Sequence, residues 1–211
     1  MEKSPHKFAA GEIVSAIIGD IKGRSTCYVV ALAGESGCGK TETSKELTNA
    51  LTEAGIRSLV LGQDNYFYLP PAANDAKRKS DKTWLGPRKE VDLQLLDNII
   101  VAAKNGAEEL AVQFIDYASG KMTVDEVKMN GIKVIIVEGT YTMLLKHVDV
   151  RIFIDADYHD TLPYRIKRNR GNEVRDPFVE NILETEHKII AGHRFLADFV
   201  ISKDYEVEHI L

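Results

Sequence analysis

Cysteine is scarce: the 211-residue chain holds two, Cys27 and Cys38. They stand at no metal-ligand spacing and form no framework of pairs, which suits a reducing cytosol. No apolar run approaches the roughly 18 residues of a membrane-spanning helix. The opening "MEKSPHKFAAGEIV" lacks the continuous apolar core of a secretory signal. Positive charge is in deficit, with a formal net charge of -5, and that argues against a bulk nucleic-acid binder. Internal repeats and low-complexity tracts are absent too. The expectation is a cytoplasmic globular protein of one domain, with neither membrane nor nucleic acid as partner.

What is present is an alternation. Residues 9–22 carry Ile13, Val14, Ile17, Ile18 and Ile21 at helical spacing before Gly23, an N-terminal helical extension spanning 1–24. Short runs rich in β-branched residues follow at 27–33, 57–63, 110–115, 133–137, 150–154 and 198–202. Several are continuously apolar, the pattern of strands covered on both faces of a parallel sheet. Between them, 40–54 and 92–105 read as helices ended by Gly55 and Gly106. Strands alternating with helices predict an open α/β sheet. Two segments break this rhythm. Residues 65–90 read as a long polar loop, and 158–176 concentrate Arg165, Lys167, Arg168, Arg170 and Arg175. After the latter, Asp176-Pro177 predicts an N-cap and a first-turn proline.

"GESGCGKT", residues 34–41, matches G-x-x-x-x-G-K-[ST], with a buried strand before it and an amphipathic helix after it. Gly34, Gly37 and Gly39 allow the backbone to close on phosphate oxygens, and Glu35, Ser36 and Cys38 complete the cradle. The helix N-terminus adds partial positive charge. Lys40 is placed for the β- and γ-phosphates and the Thr41 hydroxyl for Mg²⁺. Cys38, near a helix start and Lys40, has an expected bias toward its thiolate, although a small residue tolerated at a variable position is the simpler reading. Asp64, Glu138 and Asp155 follow predicted strands, on the sheet edge where α/β ligands bind. One such carboxylate can complete a Mg²⁺ shell and another accept a proton from an attacking hydroxyl. The arginine-rich 158–176 segment suits a lid that clamps a transferring phosphoryl group. No "NKxD" or suitably spaced "DxxG" appears, which lowers the case for a GTPase.

Five stretches in order resemble the uridine kinase branch of the P-loop kinases, related to phosphoribulokinase and bacterial pantothenate kinase. They are "GESGCGKT", "LGQDNYFY", "EVDLQLL", "VIIVEGTY" and "VRIFIDADYHDTLPYRIKRNRG", with "ADFVISKDYEV" as a sixth likeness near the end. The resemblance implies a P-loop NTPase three-layer sandwich, with a mostly parallel sheet of about five strands and a small arginine-rich lid. It implies ATP (or GTP) and Mg²⁺ as cofactors. Asp64 would be the base that deprotonates a 5′-hydroxyl and would sit near Mg²⁺, which Thr41 and Glu138 help to hold. Asp92 would bind ribose hydroxyls, while Arg165, Arg168 and Arg170 are lid candidates beside Lys40, with Arg175 a fourth.

The departures bear on the acceptor. The family's Tyr-Asp-Phe and following histidine, which read a pyrimidine, become "FIDYASGK" here. Asp116 keeps its place, Ile115 replaces the tyrosine and Gly120 falls near the histidine. Tyr66, Tyr68, Trp84, Arg88 and Tyr117 are the remaining aromatic and basic candidates for the substrate. His187 and His193 are expected in surface or capping roles. The first expectation is therefore an ATP- and Mg²⁺-dependent kinase of a small-molecule hydroxyl, foremost the 5′-hydroxyl of uridine or cytidine. Pantothenate or a sugar as acceptor is the alternative, and a nucleotide-dependent binding or regulatory ATPase is an alternative of another class. A homo-oligomer is possible on the resemblance alone.

Overall fold

Seven consecutive buried residues, Tyr28–Gly34, form the central strand β1. Successive strand side chains point to opposite faces, so a strand buried at every position must be covered on both. The computed structural model, which describes residues 4–116, 119–168 and 176–210, supplies both covers. On one face, Tyr28, Val30 and Leu32 share a core with helices α1 (Pro5–Gly23) and α2 (Lys40–Glu53). On the other, Val29 packs with α4 (Leu93–Lys104) and a hairpin described below. Helix α1 starts on Pro5, whose missing N–H costs nothing in a first turn, and buries Ala9, Ala10, Ile13, Val14, Ile17 and Ile21.

The main sheet has six strands in the order β2-β5-β1-β6-β7-β8, one more than expected. Strands β2 (Arg57–Gly62), β5 (Ile132–Glu138), β1, β6 (Val150–Asp155) and β7 (Phe199–Ser202) run parallel, and β8 (Val207–His209) closes one edge antiparallel. Register brings the strand ends together: Glu138 is level with Leu32 and Gly62, and Gly34 with Ile154. The β7–β8 turn contains Tyr205 at φ 65°, the one non-glycine residue with positive φ among the described residues. A side chain there costs about 1–2 kcal/mol relative to the right-handed region.

Two expectations are corrected. The 110–115 run does not join the parallel sheet. It forms β3 (Glu109–Asp116), which pairs antiparallel with β4 (Lys121–Lys128) in a separate two-stranded ribbon. Leu110 and Val112, with exposed neighbours, share the face that packs into the core, and Ile115 is buried on the opposite face, where its N–H meets Asn65. Strand β4 gives no apolar signal because it is almost wholly exposed and half of its residues are charged. Residues 65–90 are not a plain loop: they follow Asp64 out of a 3₁₀ turn, Gln63–Tyr66, and build helix α3 (Pro71–Ser80). After the short α5 (Leu162–Arg168), α6 (Pro177–Ile190) starts as anticipated, with the Asp176 carboxylate accepting from the Phe178 N–H at 2.9 Å. No helix among the described residues is long and apolar enough to cross a membrane.

Candidate active site

The phosphate loop joins β1 to α2 across the middle of the sheet. Gly37 and Gly39 have φ of +85° and +91°, in the left-handed region. Each is also tightly approached. A Cβ on Gly37 would lie 2.9 Å from Arg165 Cγ, and one on Gly39 would lie 2.5 Å from His6 Cε1. Both glycines are thus required twice, by dihedral and by space. Lys40 Nζ donates to the carbonyls of Gly34 and Glu35, at 2.9 and 2.8 Å, which holds the ammonium over the loop. The buried Glu35 carboxyl meets His187 Nδ1 of α6 at 2.5 Å. Burial pushes Glu35 up, and the hydrogen bond and charge of His187 oppose that shift. Cys38 overturns its expected bias: burial pushes its thiol up, outweighing Lys40, so it serves as a small packed residue.

Beside the loop opens a cavity of about 730 Å³, lined by Lys40, Thr41, Asp64 and Glu138 among others. The Thr41 hydroxyl donates to Glu138 Oε1 at 3.2 Å. Burial pushes the Glu138 carboxyl up, the Lys40 charge draws it down, and the nearby Asp64 charge adds to the rise. One hydroxyl and two carboxylates form a hard oxygen donor set. That set fits Mg²⁺, which takes one or two carboxylates and completes its shell with phosphate oxygens and water. Asp155, the third strand-end carboxylate, is not part of this cluster; it accepts from Arg194 Nε at 2.9 Å.

Helix α5 gives the lid candidates different tasks. Arg165 is 1% exposed and donates to Glu180 Oε1 at 3.3 Å and the Tyr158 carbonyl at 3.0 Å. It braces Gly37 from behind and does not line the cavity, which corrects its reading as a phosphoryl clamp. Thr161 shares the bracing, its hydroxyl donating to the Ser36 carbonyl at 3.1 Å. The described α5 residues on the cavity are Tyr164 and Lys167. Arg170 and Arg175 lie outside the described residues, as do Tyr117 and the side chain of Arg168.

On the far side of Asp64 stands α3. Pro71, Asn74, Asp75 and Arg78, spaced i, i+3, i+4 and i+7, turn one helical face to the cavity. Behind them Glu90 is fully buried, and four donors satisfy it. These are Arg78 Nε at 2.8 Å, the Gly86 N–H at 2.9 Å, Asn74 Nδ2 at 3.3 Å and the Tyr141 hydroxyl at 3.3 Å. Trp84 Nε1 fastens Asn74 Oδ1 at 2.7 Å. Glu186 of α6 reaches the same cavity 4.0 Å from Arg78, and burial pushes its carboxyl up to about 7. Sequence reading missed this wall because its cavity face is polar and offers no hydrophobic period. The Pro71 start and the i, i+3, i+4, i+7 polar spacing were the available signals.

Other expected substrate residues are placed elsewhere. Tyr66 is 1% exposed in the core with Leu61 and Leu96, so its role in holding substrate is corrected to packing. Asp92 caps α4, accepting from the Leu95 N–H at 2.9 Å, and does not line the cavity. Asp116 accepts from the Ser119 hydroxyl at 2.6 Å near the hairpin turn, also off the cavity. Ile115 is a fastening point: its N–H donates to Asn65 Oδ1 at 3.0 Å and its side chain is buried. His193 is buried, not a surface residue, and His187 serves the loop through Glu35.

Comparison with known proteins places this geometry among kinases. The model of the Phosphoribulokinase / Uridine kinase family matches residues 29–188. A bifunctional alpha-galactosidase/sucrose kinase of Mediterraneibacter gnavus is 26% identical over 190 residues, 85% of this chain, which spans 20% of that protein. A uridine kinase of Leuconostoc citreum is 26% identical over 197 residues, covering 84% of this chain and 88% of that protein. In fold, a D-glycerate 3-kinase of Cryptococcus neoformans aligns over 99% of this chain and all of its own, with a TM-score of 0.66 at 13% identity. These relatives carry different acceptors in their names.

Proposed function

The chain belongs to the Phosphoribulokinase / Uridine kinase family, and from that premise we propose that it transfers the γ-phosphoryl group of ATP to a hydroxyl of a small metabolite. The observation carrying this reading is the meeting of Lys40, Thr41, Asp64 and Glu138 in one cavity at the carboxyl ends of β1, β2 and β5. Asp64 accepts the proton of the acceptor hydroxyl as its oxygen attacks the γ-phosphorus in line. The new O–P bond forms as the bond from phosphorus to the β–γ bridging oxygen breaks, and ADP leaves. Lys40 and the loop N–H groups hold the β- and γ-phosphate oxygens, while Lys167 adds positive charge from α5. Thr41, Glu138 and Asp64 would hold Mg²⁺, which when bound neutralises charge on the phosphates.

For the acceptor, the α3 wall favours a hydroxyl-rich compound such as a sugar or polyol. Asn74, Asp75, Arg78 and Glu186 present donors and acceptors there, with Phe67 and Pro71 as the apolar lining. A pyrimidine nucleoside is the second reading, favoured by the uridine kinase relative and by Phe67 as a stacking surface. ADP release measured with sugars, polyols, pantothenate, uridine and cytidine separates them. Stimulation by uridine or cytidine alone would put the nucleoside first.

A further inference from the structure

We propose that the N-terminal helix completes the donor site, with His6 of α1 and Tyr205 of the β7–β8 turn forming the wall that takes the nucleoside end of the donor. The inference rests on the phosphate loop being a nucleotide cradle, and adds residues outside the 29–188 family match.

Sheet order sets the direction of the donor. Asp64 follows β2, two strands to one side of β1, whereas Tyr205 lies beyond β7, two strands to the other. With the γ-phosphate directed at Asp64, the phosphate chain runs along the loop and the nucleoside emerges on the β7 side. There His6, Tyr164 and Tyr205 line the cavity, while Phe67 is the aromatic residue at the acceptor end. Tyr164 and Tyr205 also border a second cavity of about 190 Å³, against Gly37 and Cys38. Base rings bind on aromatic surfaces, so the distribution of rings in the cleft matches the donor's polarity.

Two features fix these rings in place. His6 is held at both ends: its Nδ1 meets the Thr43 hydroxyl at 2.9 Å, and its ring meets Tyr205 edge to face at 4.4 Å between centroids. It also lies so close to Gly39 that a Cβ there would fall 2.5 Å from its Cε1 and displace the ring. Tyr205 occupies a left-handed turn position that favours glycine or asparagine, its N–H donating to the Ser202 carbonyl at 2.9 Å. The strain of that position is offset by the contacts of the Tyr205 ring with His6 and the core. The buried stripe of α1, from Ala9 to Ile21, anchors the helix to the core and fixes His6 over the loop.

The test compares ATP with inorganic tripolyphosphate, which fills the loop but has no nucleoside. Dissociation constants are measured by calorimetry on the full chain, as wild type, His6→Ala, His6→Phe and Tyr205→Ala. His6→Ala and Tyr205→Ala should each weaken ATP about tenfold, the size of one lost base–aromatic contact, and leave tripolyphosphate within about twofold. His6→Phe keeps a ring without the Thr43 bond and should recover most of the ATP affinity. Equal weakening of both ligands, or no change in either, overturns the proposal. A wild-type chain that binds ATP no better than tripolyphosphate overturns it as well. Failure of the wild type to bind either ligand would instead bring down the nucleotide-cradle reading beneath it.

Discussion

The Thr41 hydroxyl donates to Glu138 Oε1 at 3.2 Å, tying the first turn of α2 to the end of β5 across 97 residues of chain. Both groups are oxygen donors, and both line the cavity that holds Asp64. On the proposed function, the pair would hold Mg²⁺ on the phosphate side of the cleft. Glu138→Gln keeps the shape and removes the charge. It should raise the Mg²⁺ concentration needed for half-maximal turnover about 10- to 100-fold, the range seen when groups supporting a metal are altered. Turnover titrated with MgCl₂ at saturating ATP checks this, and an unchanged Mg²⁺ requirement would remove Glu138 from the site.

Arg78 serves two masters, the buried Glu90 and the cavity. Arg78→Ala strands a buried carboxylate without its cation and should cost about 3–5 kcal/mol of stability, measured by urea unfolding. Arg78→Lys retains the charge but not the planar fork. That variant should fold and bind ATP like the wild type while the acceptor KM rises severalfold. An acceptor KM unmoved in a folded Arg78→Lys protein would separate α3 from acceptor binding.

Burial pushes the Glu186 carboxyl from its ordinary 4.5 up to about 7; the charges of Glu90 and Asp64 add to the rise, and Arg78 and Lys40 oppose it. A carboxyl raised on folding binds its proton more tightly in the folded state. Its contribution to stability is therefore complete below 4.5 and lost as pH rises through about 7. Over that window the loss is on the order of 3 kcal/mol. Glu186→Gln, which carries no titratable group, should flatten this part of the stability–pH curve. Parallel curves for the two proteins between these limits would contradict the burial of an ionising Glu186.

Much of the nucleotide half of the site was legible because its chemistry is local. "GESGCGKT" writes its own dihedral and spacing demands, and the positions of Asp64 and Glu138 followed from recognising the strands before them. The α3 side of the cavity was not legible in the same way. Arg78, Glu90 and Glu186 come from three separate segments, and their meeting depends on how α3 and α6 pack. Tyr66 shows the converse: a residue two along from Asp64, in a motif, points into the core because a 3₁₀ turn rotates successive side chains apart. Arg165 was found by composition and misassigned in role, since composition gives charge but not direction. Continuous apolar runs identified the parallel strands of the main sheet, whereas β4 of the ribbon, exposed along most of its length and half charged, gave no such signal.

The central claim is that Asp64 drives phosphoryl transfer to an acceptor hydroxyl, and Asp64→Asn tests it. ADP release is followed with and without the acceptor that best stimulates the wild type, alongside the ATP dissociation constant. Wild-type ADP release should depend on acceptor, and the variant should lose at least about 10²-fold in turnover while largely keeping its ATP affinity. Near-full activity in Asp64→Asn, or wild-type ADP release that no acceptor increases, would contradict it.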